Sequence, residues 1–359
     1  MNLSKISCFA PAAILILLSA VVGCRGPQYD EGLYAEIQTN KGRIVLALEF
    51  EKTPMTAANF VGLAEGTIKN AAFSEGRPYF DGTVFHRVVP GHVIQCGIPA
   101  GGAAQDPGYR IPNEIRDGLD HGRAGMVNMA NAGPHTNGSQ WCITLGDRSY
   151  LDGDYTVFGR VIDGMDVVFE IVQGDVVEKV RIVRVGAAAK AFRPATDSFR
   201  TLVEQAWDRV RNEEAEKEAE EEALVAANWP DAVLLENGLR TKILSRGRGA
   251  LPKPGDRISV AYSGRTLSGA RVFVGTGDDG KPYWGETPEA FSYEVGSNAV
   301  NPGFDAAVSM MAPGEKRLVI VPAEKAYGVR GHYAPERPGE KRFVIRPNTI
   351  LVYEIERLI

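Results

Sequence analysis

Cysteine is scarce in this sequence, with four in 359 residues, Cys8, Cys24, Cys96 and Cys142. So few exclude a disulfide framework, and although an oxidising compartment would permit a Cys96–Cys142 bond, nothing in the pattern calls for one. The five histidines are scattered and no His/Cys cluster stands at metal-ligand spacing, so neither a metal site nor a cofactor is expected. Between Phe85 and Leu151 paired carboxylates are missing too. Ser139, in Asn137-Gly138-Ser139-Gln140, has no G-x-S-x-G elbow and no acid partner; it reads as a turn serine, which leaves hydrolysis without its machinery. Basic residues are in deficit, 40 Lys and Arg against 45 Asp and Glu, for a net charge of −5 that speaks against nucleic acid as a partner. The apolar run from Phe9 to Val22 falls short of the roughly 18 to 20 residues of a spanning helix.

What the N-terminus does have is Lys5, that apolar run and small residues before Cys24, the three parts of a cleaved secretory signal. Val21-Val22-Gly23-Cys24 resembles a bacterial lipobox, with valine where leucine is usual. The resemblance implies that Cys24 is acylated and becomes the new N-terminus, that several acyl chains tether the exported chain to the membrane of the cell envelope, and that its domains face the periplasm. An ordinary signal peptide with an incidental cysteine is the other reading.

The length exceeds what one core usually supports, and composition marks two folded regions with a helix between them. Alternation over 35–39 and 43–50 around Asn40-Lys41-Gly42 predicts a hairpin, and Pro54 to Gly66 predicts a helix, with apolar Ala58, Phe60 and Leu63 on one face. Short strands and glycine-rich turns then run to Val185, which predicts a mainly β domain with short helices, a closed antiparallel barrel over 33–190. Residues 194–230 predict one long helix, amphipathic in its first half and acidic from Glu213 to Glu222, where it reads as a solvated spacer. Over 231–359 five strands are expected at 239–244, 257–262, 291–295, 316–321 and 349–358, with a short helix over Phe304 to Met311. They predict an antiparallel sheet wrapped over a helix, an α+β domain.

The polar inventory between Phe85 and Leu151 is one guanidinium and neutral amides: Arg87, Gln95, Asn131 and Gln140. It suits a reaction that needs hydrogen bonds but no proton abstraction or covalent intermediate. FHRVVPG (Phe85 to Gly91) with Gln95, GMVNMANAGPHTNGSQ (Gly125 to Gln140) and YLDGDYTVFGRV (Tyr150 to Val161) resemble three successive segments of the cyclophilins, in order, within a match of about 155 residues. The resemblance implies a peptidyl-prolyl cis-trans isomerase with Arg87 as main catalytic residue, Gln95 and the backbone around Ala130 and Asn131 holding the substrate, and Gln140 lining the same groove. Its proline pocket maps onto His92, Val93, Cys142 and Leu151, beside Tyr150 and Tyr155. His92 and Cys142 stand where that family has phenylalanines, and Tyr150 where many members have tryptophan, which implies weakened binding of proline and of cyclosporin.

Residues 233–359 resemble the FKBP-type isomerases through VAYSG (Val260 to Gly264), VNPGF (Val300 to Phe304), KAYG (Lys325 to Gly328) and the terminal TILVYEIERL. The resemblance implies an aromatic cup of Tyr262, Phe273, Phe291, Phe304, Tyr327 and Tyr353, with Val300 and Ile345 beside it. Val274, Asn301 and Phe304 replace an aspartate, an isoleucine and a tryptophan, and Tyr333 to Arg342 looks inserted at the pocket edge, so macrolides are expected as weak ligands. The expected partners are unfolded or partly folded proteins with X-Pro bonds. A non-catalytic chaperone or surface-exposed binding protein that keeps both folds is the alternative.

Overall fold

The computed structural model describes residues 29–269, 272–274, 290–333 and 343–359; the segment expected to be a signal, with Cys24, lies outside the described residues. Among those described, no helix is long and apolar enough to cross a membrane.

The chain enters through β1 (Gly32–Thr39) and β2 (Gly42–Leu48), an antiparallel hairpin whose closing pair is Thr39 and Gly42. Thr39 Oγ1 accepts from the backbone N–H of Lys41 and Gly42, both at 3.1 Å, and donates to Gly42 O at 2.8 Å, a local side-chain turn of the kind threonine favours. Helix α1 (Pro54–Glu65) starts on Pro54 and stops at Gly66, whose φ of 71° only glycine adopts without strain. Strands β3 (Arg87–Val89), β4 (Val93–Cys96), β5 (Met126–Met129), β6 (Trp141–Thr144) and β7 (Val157–Asp163) follow, then α2 (Met165–Glu170), β8 (Val177–Val185) and α3 (Ala187–Ala191). They form one eight-stranded sheet in the order β3-β4-β6-β5-β7-β2-β1-β8.

The sheet curls around Phe60 of α1, which meets Phe80 at 5.0 Å, Phe158 at 5.5 Å and Trp141 at 6.0 Å. It does not close. The closed barrel expected from the strand pattern is corrected to a curled sheet with unpaired ends, β3 and β8. The gap is crossed by an isolated bridge, Val84 to Val176, with Phe85 N–H on Asp175 O at 2.8 Å. The physical reason is local: residues 82–85, in the turn ahead of β3, meet β8 in place of β3 itself, Gly82 N–H donating to Val177 O at 2.7 Å and Val177 N–H to Thr83 O at 2.8 Å, while Thr83 Oγ1 turns back onto Phe80 O at 2.7 Å.

Helix α4 (Thr196–Asn228) has 33 residues and so runs about 50 Å. Phe199, Ala206 and Val210 bury its first half, with Phe199 against Tyr109 at 5.4 Å and Trp207 against His135 at 6.1 Å. The stretch from Glu213 to Glu222 is solvated except for half-buried Glu221, but the helix is no free spacer: Val225 is buried with Leu318, Ile320 and Val352 of the second sheet.

That sheet holds β9 (Val233–Leu234), β10 (Arg240–Ser245), β11 (Arg257–Thr266), β12 (Val272–Val274), β13 (Ala290–Glu294), β14 (Lys316–Val321) and β17 (Leu351–Arg357), while β15 (His332–Tyr333) pairs with β16 (Phe343–Ile345). Helix α5 (Pro302–Val308) lies on one face, with Phe304, Ala307 and Val308 buried against Val319, Val321 and Tyr353. It starts earlier than the Phe304 to Met311 expected, because Asn301 caps it, Oδ1 accepting from Phe304 N–H at 2.9 Å, and Pro302 supplies the first turn. Strands β9, β12, β15 and β16 were not anticipated; two or three residues are too short to show alternation.

Candidate active site

Register builds the first site. Arg87 on β3 pairs with Gln95 on β4, Gln95 pairs with Cys142 on β6, and Cys142 pairs with Asn128 on β5. Directly paired residues share a face of the sheet, so these four side chains form one row across four strands. They line a cavity of about 290 Å³ together with His92, Val93, Ala130, Asn131, Leu151 and Tyr155. Arg87 is exposed at its mouth and reaches Gln95 Oε1 only at 3.5 Å, whereas Gln95 Nε2 donates to Gln140 Oε1 at 2.8 Å. Gln140 lies outside this cavity and lines an adjoining one of about 200 Å³, which shares Gln95, Ala130 and Asn131 with the first. Tyr150 does not line the cavity but contacts a residue that does: its hydroxyl is 3.2 Å from His92 Nδ1 and the two rings stack at 6.2 Å.

Among the described residues the cavity is lined by no Asp, Glu or Lys, and its one imidazole, His92, has Nδ1 3.2 Å from the Tyr150 hydroxyl. Cys142 is buried and its thiol is pushed up to about 12 by that burial, and burial likewise pushes Cys96 up to about 11. Cys96 pairs with Trp141, one step out of phase with Cys142, so the two thiols sit on opposite faces of the sheet and both are free. Ser139 is buried, donating to Gly97 O at 2.8 Å with its Oγ 3.1 Å from the Tyr79 hydroxyl, as a turn serine would be. His121 does contact Asp152, Nδ1 to Oδ1 at 2.7 Å, but among the described residues its Nε2 has no hydrogen-bond partner, a nucleophile included. No group of three or more His, Cys, Asp or Glu residues that could hold a metal occurs among the described residues.

Residues 34–187 match the cyclophilin type peptidyl-prolyl cis-trans isomerase/CLD family. Peptidyl-prolyl cis-trans isomerase A of Mycobacterium tuberculosis is 45% identical over 133 residues, which span 36% of this chain and 73% of that protein. The chain belongs to the cyclophilin-type peptidyl-prolyl isomerases. A Helicobacter pylori peptidyl-prolyl cis-trans isomerase is 40% identical over 149 residues, 41% of this chain and 85% of that one. A cyclophilin type peptidyl-prolyl cis-trans isomerase of Cryptosporidium parvum, known from its crystal structure, is 26% identical, covering 43% of this chain and 98% of that chain at a TM-score of 0.37. Residues 249–358 match the FKBP-type peptidyl-prolyl cis-trans isomerases, so this cyclophilin carries an isomerase domain of a second type.

In the FKBP-type domain three rings gather where α5 meets its sheet. Tyr262 stands 4.7 Å from Phe304 and 6.0 Å from Tyr353, and Phe304 stands 5.3 Å from Tyr353. All three are buried, while Phe291, Val300 and Tyr327 are half-buried on the same cluster and Ile345 is buried in it. The Phe273 side chain and the inserted segment 334–342 lie outside the described residues. Asn301 has a structural account: besides capping α5 it donates through Nδ2 to the Tyr353 hydroxyl at 2.6 Å. Burial pushes the Tyr327 hydroxyl up to about 12 and Tyr353 well above its ordinary value, so both stay neutral.

Asn128 is the groove residue that sequence reasoning missed. The signal was there, one polar residue in the apolar run Met126 to Met129, two positions before Ala130 and therefore on its face.

Proposed function

We propose that the cyclophilin-type domain turns over X-Pro bonds through Arg87, and the observation that carries this is the cross-strand row that sets Arg87 beside Gln95 above a cavity walled by Asn131 and Tyr155. Amide resonance sets a barrier of about 18–20 kcal/mol, and it falls when the C–N bond twists and the prolyl nitrogen becomes pyramidal. A guanidinium donating to that nitrogen stabilises the twisted state over the planar one, and each 1.36 kcal/mol of the difference gives about tenfold in rate. Gln95, held by Gln140, and the Ala130–Asn131 backbone hold the flanking peptide, while His92, Val93, Cys142 and Leu151 receive the ring. With two aromatic rings absent from that pocket, cyclosporin binds weakly.

In the FKBP-type domain the cup of Tyr262, Phe304 and Tyr353 desolvates a twisted imide and needs no acid or base. The full burial of those rings also favours a second reading for this half, a peptide-binding chaperone module with slow turnover and weak macrolide binding. We further propose that Lys5, the Phe9 to Val22 run and Cys24 direct export and lipid anchoring, which would place both domains in the bacterial envelope on exported clients.

The test is isomerisation of a proline peptide by the chain, its Arg87→Ala variant and its Tyr327→Ala variant. A wild-type rate at background rejects turnover for that peptide, and loss with Arg87→Ala alone assigns it to the first domain. Mass spectrometry of the processed N-terminus decides acylation of Cys24.

A further inference from the structure

The two isomerase domains meet at the rims of their sites. Arg346, the residue after β16 and next to the buried Ile345, extends Nη1 to Asp154 Oδ1 at 3.2 Å. Asp154 precedes Tyr155, which lines the first cavity. Its backbone carbonyl accepts from Asn131 Nδ2 at 2.9 Å and from Asn113 Nδ2 at 3.0 Å. Asn131 Oδ1 in turn accepts from Gly133 N–H at 3.2 Å, and the carbonyl of Val329 lies 3.6 Å from where a Gly133 Cβ would stand. Nearby, Lys217 of α4 donates to Asn348 O at 3.1 Å, two residues beyond Arg346, so the same edge of the second domain is also held by the helix.

We propose that Arg346 of the FKBP-type domain is a positioning residue for the cyclophilin-type site: by pairing with Asp154 it fixes the carbonyl that Asn131 grips, and with it the Asn131–Tyr155 wall of the substrate groove. The turn it braces is lightly held from within, since the backbone N–H groups of Asp154 and Tyr155 share one acceptor, Leu151 O, at 3.2 Å each. The Asp154 carboxylate is 19% exposed and Arg346 is 65% exposed, so the pair gains little stability for the fold as a whole; its effect is on where the turn sits. The Asp154 carboxyl is pushed up by burial, and Arg346 acts against that push. Neither partner is placed in the chemistry, and both lie between the two sites. The inference rests on the reading that the first groove binds and turns over the peptide.

The experiment compares the full chain with Arg346→Ala, Arg346→Lys, Asp154→Asn and the double Arg346→Ala/Asp154→Asn variant, scoring the part of peptide isomerisation that Arg87→Ala abolishes. Arg346→Ala is expected to raise KM about two- to fivefold with kcat within about twofold, the range an ion pair with one exposed partner supplies. Arg346→Lys restores most of the KM, the double variant is no worse than Arg346→Ala, and the difference from wild type shrinks in about 1 M salt. An unchanged KM in Arg346→Ala, or additive losses in the double variant, overturns the proposal. Backbone amide resonances of Asn131 and Tyr155 are recorded in parallel. If wild type has no Arg87-dependent turnover, the reading of the groove fails by itself, and positioning then stands if those resonances shift in Arg346→Ala and falls if they do not.

Discussion

Helix α1 begins without a cap of its own, since Thr53 makes no side-chain bond to its first turn, and a carboxylate distant in sequence supplies the missing acceptor. Glu114 Oε2 accepts from Thr56 N–H at 2.9 Å and from Thr56 Oγ1 at 2.8 Å, and its own N–H is tied to Thr156 Oγ1 at 2.8 Å. Glu114 and Thr56 are both buried, so Glu114→Ala leaves a buried N–H unsatisfied and removes a negative charge from the positive end of the helix. The first effect costs about 1–3 kcal/mol and the second up to about 2 kcal/mol, for an expected loss near 3–4 kcal/mol. Glu114→Gln keeps an acceptor and loses only the charge, at about 1–1.5 kcal/mol. At roughly 2–4 °C per kcal/mol for a domain of this size, the alanine variant should melt roughly 6–15 °C lower. Urea and thermal unfolding followed by circular dichroism give both numbers, and hydrogen exchange at the Thr56 amide reports the cap directly. A cost below about 1 kcal/mol for Glu114→Ala, or equal costs for the two variants, would refute the assignment of Glu114 as the cap. Because neighbouring Asn113 binds the Asp154 carbonyl, the alanine variant should also loosen the groove wall.

Three further outcomes are expected. Burial alone would raise the Glu36 carboxyl, but the Tyr29 hydroxyl at 2.7 Å, Arg181 and Arg43 outweigh it and hold it below its ordinary 4.5. A depressed carboxyl contributes stability above its unfolded value that is lost as pH falls through the folded one. The melting difference between wild type and Glu36→Gln should therefore be full at pH 7 and fade below about pH 4.5, and a difference independent of pH would contradict this. Val225→Asp should release the end of α4 from Leu318, Ile320 and Val352, seen as faster proteolysis between Glu213 and Glu222 while the first domain melts as before; unchanged proteolysis would mean that the docking is not holding the helix. Cys96 and Cys142, buried with raised thiols, should resist alkylation at pH 8 and react on denaturation, and rapid labelling of the native chain would show that one of them is accessible.

What was legible in the sequence was local chemistry. Pro54 and Gly66 bracket α1 as expected, β14 falls on Lys316–Val321, and Arg87, Gln95, Asn131 and Cys142 do converge on one cavity. What was not legible depends on pairing between residues far apart in the chain. The open edge between β3 and β8 depends on how residues 82–85 meet 174–177, the capping of α1 by Glu114 spans 58 residues, and Asn128 joins the groove because β5 and β6 are in register. Alternation identifies a strand, but it says nothing of which strand lies beside it. The acidic stretch of α4 hid its docking residue, because Val225 follows a run of exposed glutamates and its neighbour Leu224 is exposed, so no periodic apolar face points to it.

That helix has a consequence for clients. A flexible linker would let the two sites sample many separations, and their joint binding would vary smoothly with linker length. Helix α4 is seated at both ends, on Tyr109 through Phe199 and on the second sheet through Val225, so the separation of the sites is a fixed property of the fold. If both proposed sites take the same client, joint engagement would select chains whose prolines stand at the matching interval.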